Sequence, residues 1–236
     1  MARLPHDPAA RGRHRLRAWL TSVVDLILLR HGRTDWNAAR RIQGQSDSQL
    51  DDLGHAQAEA VAPAIAALGP SVMWSSDSDR TRDTASYVAK VCDLTPTYDP
   101  RLREYSFGAR EGLYHHEFQM ADADQYRSFL ALDWDNVAGA EKYHQVAARM
   151  TACLTELVAL VPDDGVALAV SHGAAIRTAV GALLGWPPDQ NLSLRGMDNC
   201  GYAILRRPAP DARWRLHSYN RTVPVPPDFI DPGAVG

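Results

Sequence analysis

The chain has 236 residues, 45% hydrophobic and 22% charged, with a formal net charge of −3 at pH 7. Such values are ordinary for a globular protein and suit one well-cored domain, or one domain with a lid. Without a basic stripe interleaved with aromatics they argue against a nucleic-acid binder, and no apolar run reaches transmembrane length. Cys92, Cys153 and Cys200 are scattered. They offer neither a disulfide framework nor zinc spacing, which points to a reducing cytoplasm.

Residues 1–22 carry Arg3, Arg11, Arg13, Arg15 and Arg17 against Asp7. This basic stretch reads as a disordered arm or an overextended start. Asp25 interrupts the apolar run that follows, and no small-residue cleavage site appears, so a signal peptide is not expected. From Val23 to Leu29 the run predicts a buried strand, which ends abruptly in Arg30-His31-Gly32. Ligands in α/β sheets sit just beyond the carboxyl ends of strands. A guanidinium, an imidazole and a glycine that lets backbone approach a ligand suit a phosphate there.

Thr34 to Asn37 predicts a turn, with Asn37 able to donate amide hydrogens, and Ile42-Gln43-Gly44-Gln45 a polar loop. Leu50 to Leu68 reads as a helix that Pro63 should kink or shorten. Val72 to Trp74 is a short strand, and Ser75 to Asp79 supplies capping side chains for a helix with Thr81, Thr84, Ala85, Val88 and Val91 on one face. Arg80 stands in that helix's first turn, where the macrodipole disfavours a cation unless it faces an anion. Thr95 to Tyr98 resembles an edge strand, since Pro96 removes a ladder donor.

Arg101 to Gly112 carries two carboxylates, Glu104 and Glu111. Tyr114 to Val137, polar and aromatic, is expected to form a lid within an insertion around 113–139. The pair His115-His116 lacks the spaced partners a metal site needs. Ala140 to Leu160 is the clearest helix, with Tyr143, Val146, Met150, Cys153, Leu154, Leu157 and Leu160 on its core face. Val166 to Val170 is a second apolar strand, ending in Ser171-His172-Gly173 before a helical stretch from Ala174 to Leu184. Gly201 to Leu205 and Trp214 to His217 predict two closing strands. Residues 223–236 predict a loosely ordered tail.

Two buried strands that deliver His-Gly to the same sheet edge are hard to explain as packing. Four segments stand in order: Arg30-His31-Gly32, Ser75-Ser76-Asp77-Ser78-Asp79-Arg80, Leu102-Arg103-Glu104 through Gly112, and Ser171-His172-Gly173. From Val24 to Tyr219 the chain thereby resembles the histidine phosphatase superfamily, also called phosphoglycerate mutase-like. It departs at Ser78 and Thr81, where the family usually has Leu and Ala. Gly196 to Cys200 and Arg213 to Leu216 are similar to actinobacterial glucosyl-3-phosphoglycerate phosphatases.

The resemblance implies a three-layer α/β/α sandwich with a mostly parallel central sheet, as a single domain over 23–222. It also implies a metal-independent phosphomonoesterase that needs no cofactor. His31 would attack phosphorus, Arg30, Arg80 and His172 would hold the transferring oxygens, and Glu104 would serve as the acid. Attack needs neutral His31, a state that Arg30 and Arg80 favour. Asn37, Gln43, Gly44 and Gly173 join the expected substrate contacts, with Glu111 and His115 left open. The implied partner is a small phosphorylated metabolite, with neither nucleic acid nor membrane, and a homodimer stays open. Mutases of the family have a longer insertion between acid and second histidine and an Asn-Ser pair after that His-Gly. Here 68 positions separate Glu104 from His172, and Ala174-Ala175 follow Gly173. A phosphoglycerate mutase and a non-catalytic phospho-ligand-binding module are therefore the alternatives.

Overall fold

The computed structural model describes residues 23–225. The expected arm at 1–22, and the tail beyond its first three residues, lie outside the described residues. Six strands form one sheet: β1 Val24–Arg30, β2 Val72–Ser75, β3 Thr97–Tyr98, β4 Val166–Ser171, β5 Tyr202–Arg207 and β6 Arg215–Arg221. Their order across the sheet is β3-β2-β4-β1-β5-β6. The first four run parallel, while β5 and β6 close one side as antiparallel strands. β3 lies at the opposite edge, where Pro96 costs the ladder nothing.

Seven α-helices join them: α1 Asp35–Ala38, α2 Asp52–Ala66, α3 Asp79–Cys92, α4 His115–Ala121, α5 Ala123–Leu130, α6 Tyr143–Val158 and α7 Gly173–Leu184. β1 shows why there are three layers. Successive strand side chains point to opposite faces. Leu26 and Leu28 pack with Met150, Leu154 and Ile176 from α6 and α7. Ile27 and Leu29 pack with Val61, Ile65 and Val88 from α2 and α3. Both faces are covered, as an apolar parallel strand requires. Among the described residues no helix is long and apolar enough to cross a membrane.

Several expectations need correction. Thr34 to Asn37 is no simple turn: Thr34 caps α1, and Asn37 returns a hydrogen bond to the Thr34 backbone. α2 runs through Pro63 to Ala66. The ring sits on the exposed side, where water can serve the carbonyl it leaves without a partner. Val91, on the last turn of α3, is 51% exposed, and α6 ends at Val158, which leaves Leu160 57% exposed. Leu160 lies past its helix, where the periodicity no longer steers a side chain.

Candidate active site

β1 and β4 are neighbours in register, with Arg30 opposite Ser171, so both strands release the chain at one level. The next residues are His31 and His172, whose rings meet edge to face with centroids 5.3 Å apart. His31 is 3% exposed and His172 fully buried. The His31 Nδ1–H donates to the Gly32 carbonyl at 2.7 Å, since a carbonyl can only accept. That fixes the tautomer and leaves the Nε2 lone pair free. Burial is the main force holding His31 well below the usual imidazole pKa, with Arg80 and then Arg30 adding to it. His172 is depressed in the same way, again by burial first and Arg80 second. Both rings are therefore neutral near pH 7.

Arg80 reaches this point from the start of α3. It is completely buried, and its terminal nitrogens donate to the carbonyls of Gly44 and Ser46, each at 2.7 Å. Desolvation lowers its pKa to about 10, which still leaves it charged at neutral pH. Gly44, at φ +56°, turns the 42–46 loop under this arginine, and a Cβ there would strike the Glu111 side chain. Arg30 points away from its strand and donates to the Met197 carbonyl. Gly173 packs against it, since a Cβ would lie 3.3 Å from the Arg30 side chain.

Two buried N–H groups beside His31 have no acceptor, Arg30 Nε and Arg80 Nε, and buried His172 Nδ1 has no partner either, while its Nε2 pairs with Ser76 Oγ at 2.9 Å. A buried donor without a partner costs about 1–3 kcal/mol. Arg30, His31, Asn37, Gln43, Arg80 and Glu104 share the wall of one cavity of about 180 Å³. His172 packs edge to face against His31 and is not among the residues that line this cavity.

Asn37 offers the cavity its amide hydrogens, because its carbonyl oxygen accepts from Thr34 N, Thr34 Oγ1 and Asn199 Nδ2. Gln43 Oε1 accepts from Ser48 Oγ at 2.7 Å, which leaves its amide nitrogen uncommitted. Glu104 contributes a carboxylate whose oxygens accept backbone N–H bonds from Tyr105 at 3.0 Å, Ala174 at 3.0 Å and Ala175 at 2.8 Å. It caps the first turn of α7, a position where the macrodipole favours negative charge. Glu111 lies outside this wall and receives Ser46 Oγ, Ser106 Oγ and the Phe107 N–H. His115 does reach the cavity, whereas its neighbour His116 is exposed.

Gly32 works differently from expectation. Its N–H is taken by Thr84 Oγ1 at 3.0 Å, and a Cβ would sit 2.5 Å from the Gly54 carbonyl oxygen. It permits a close crossing of two backbones and offers no amide to a ligand.

Three residues escaped the sequence reading. Asn199 donates to the His31 carbonyl and to Asn37. Arg149 binds both Glu141 oxygens and the carbonyls of Arg101, Arg103 and Glu104, so it fixes the loop that presents Glu104. Ser76 orients His172. Asn199 and Ser76 lie in segments that the sequence had marked, but Arg149 had only its helical position to speak for it.

A family model described as the histidine phosphatase superfamily (branch 1) matches residues 26–222. A glucosyl-3-phosphoglycerate phosphatase of Mycobacterium tuberculosis is 36% identical, covering 87% of this chain and 98% of its own. A probable phosphoglycerate mutase of Erwinia tasmaniensis is 37% identical over 75% of this chain and 82% of its own. A mycobacterial glucosyl-3-phosphoglycerate phosphatase, solved in complex with VO3, superposes with a TM-score of 0.75 at 36% identity, over 84% of this chain and 99% of that one. Motif order, sheet topology and these likenesses agree that the chain belongs to the histidine phosphatase superfamily, branch 1.

Proposed function

We propose that the protein is a phosphoric monoester hydrolase that works through a phosphohistidine on His31. One observation carries this reading: two orphaned guanidinium Nε–H donors, of Arg30 and Arg80, share a cavity with the free lone pair of a neutral imidazole. A phosphoryl group would give each donor an oxygen and place phosphorus before Nε2. In the first step a bond forms from Nε2 to phosphorus as the ester P–O bond breaks, and Glu104, entering the step as the carboxylic acid, gives the leaving alcohol its proton. In the second step water attacks phosphorus, the P–N bond breaks and Glu104 takes the water's proton. Arg30, Arg80 and His172 stabilise charge on the equatorial oxygens. The two guanidinium groups supply the positive charge, so the reaction is read as metal-independent. The insertion at 113–139 serves as the lid over this cavity.

The substrate is a small phosphorylated metabolite. Glucosyl-3-phosphoglycerate is the first candidate, because the relatives of that name match nearly their whole length. A reducing, cytoplasmic setting fits the three free cysteines. The mutase alternative has the Erwinia relative in its favour. The two differ in product: a phosphatase frees inorganic phosphate, whereas a mutase returns an isomeric phosphoester. The test is phosphate release and product analysis on glucosyl-3-phosphoglycerate and 3-phosphoglycerate, with and without chelator. Chelator should leave the rate unchanged, and His31→Ala should lower turnover at least roughly a thousandfold. Near-normal hydrolysis by that variant refutes the mechanism.

A further inference from the structure

Arg30 and Glu104 line the cavity at His31. Those two residues also border a second hollow of about 200 Å³, roofed by Leu132 and Trp134. Arg177 of α7 forms its outer wall, and with Trp134 it separates this space from a third hollow of about 240 Å³. Arg177 is only 8% exposed and lies 5.8 Å from the centre of the Trp134 ring.

Among the described residues Arg177 has no ion pair. No side-chain hydrogen bond engages it either. Arg149, also largely buried, shows what such a group ordinarily takes: a carboxylate and three carbonyls. An arginine keeps its charge inside a protein. Among the described residues Arg177 is thus a charged fork with no acceptor, opening on a hollow that shares Arg30 and Glu104 with the candidate catalytic cavity.

We propose that Arg177 determines specificity by binding a carboxylate on the substrate, at the end remote from the phosphate. This deepens the phosphohydrolase reading and rests on it. The planar fork matches a carboxylate in a bidentate pair. Asp133, Asp135 and Asp189 border the outer hollow that Arg177 also lines, and their charge opposes a second phosphate dianion more than a carboxylate monoanion. Glu104 does not compete for Arg177, because its oxygens are held by backbone N–H groups. Leu132 and Trp134 give the hollow an apolar lining beside Arg177.

The test compares two esters that differ at one end: 3-phosphoglycerate, with a carboxylate, and glycerol 3-phosphate, with a hydroxymethyl group. The parent enzyme should favour 3-phosphoglycerate in kcat/KM by roughly 10- to 100-fold, the range for a charge-assisted hydrogen bond. The preference should lie in KM, because the contact is remote from the reacting bond. Arg177→Gln should bring the ratio toward one, and Arg177→Lys should leave it between. The ratio is internal, so a loss of folded protein does not alter it; if the Gln variant does not fold, the parent and the Lys variant decide. A parent ratio near one, or a ratio unchanged in the variants, overturns the proposal. Failure of the parent to hydrolyse these two esters and glucosyl-3-phosphoglycerate alike would instead refute the phosphatase reading, and this one with it.

Discussion

Two neutral imidazoles sealed beside two guanidinium groups should make the fold acid-sensitive in a window of its own. His31 and His172 both titrate well below the ordinary 6.5 in the folded protein, through burial first and Arg80 next. In the unfolded chain both take up protons near pH 6.5, so below that value the unfolded state binds more of them and stability rises with pH. The contribution is complete above about pH 6.5 and is lost as pH falls below it, until the folded rings charge as well. One excess proton is worth about 1.4 kcal/mol per pH unit. For two rings the loss between pH 7.5 and 5.5 comes to roughly 2.7 kcal/mol, a large part of a typical 5–15 kcal/mol. His115, also lowered by burial, adds a smaller part in the same direction. Asp77 and Asp99, held low by Arg103 and Arg101, lose their stabilisation only at more acid pH and stay outside the window.

Urea unfolding at pH 7.5, 6.5 and 5.5 and constant ionic strength measures the effect. His172→Asn should roughly halve the slope, whatever it does to stability itself. A flat profile across the window, or a parental slope in that variant, would refute the account of the two rings.

Two further substitutions test the scaffold around them. Glu104→Gln puts an NH2 group against a backbone N–H that now meets a carboxylate oxygen, and it should cost about 1–3 kcal/mol. Hydrogen exchange should accelerate at Ala174 and Ala175, and kcat should fall roughly 10²- to 10⁴-fold if Glu104 is the acid. Gly32→Ala drives a methyl to 2.5 Å from the Gly54 carbonyl oxygen, where only backbone can give way. Overpacking of this kind costs about 1–3 kcal/mol, and an unchanged urea midpoint would show that the crossing relaxes freely.

The apolar runs of β1 and β4 made the centre of the sheet legible, and the abrupt change to Arg30-His31 and Ser171-His172 marked the edge where the site lies. Those are local signals, carried by contiguous residues. What stayed hidden depends on the meeting of remote segments. Gly32 looked like a ligand-facing glycine because the chain gives no sign that Gly54 crosses it. Arg149 and Arg177 sit within regular helical patterns, where an arginine ordinarily marks a solvent edge. Only the fold shows that one grips the Glu104 loop and that the other opens on a hollow. The depression of His31 was foreseen from its arginine neighbours, yet burial outweighs both of them.

The clasp of Glu104 on the amides of Ala174 and Ala175 ties the proposed acid to the very helix that His172 begins. Acid and second imidazole are thereby gauged against one another, not each against the bulk of the molecule. Loops elsewhere can lengthen or drift without detuning that spacing. A slip of a single residue in the short run from Arg103 to Tyr105 would misplace the proposed acid against that imidazole.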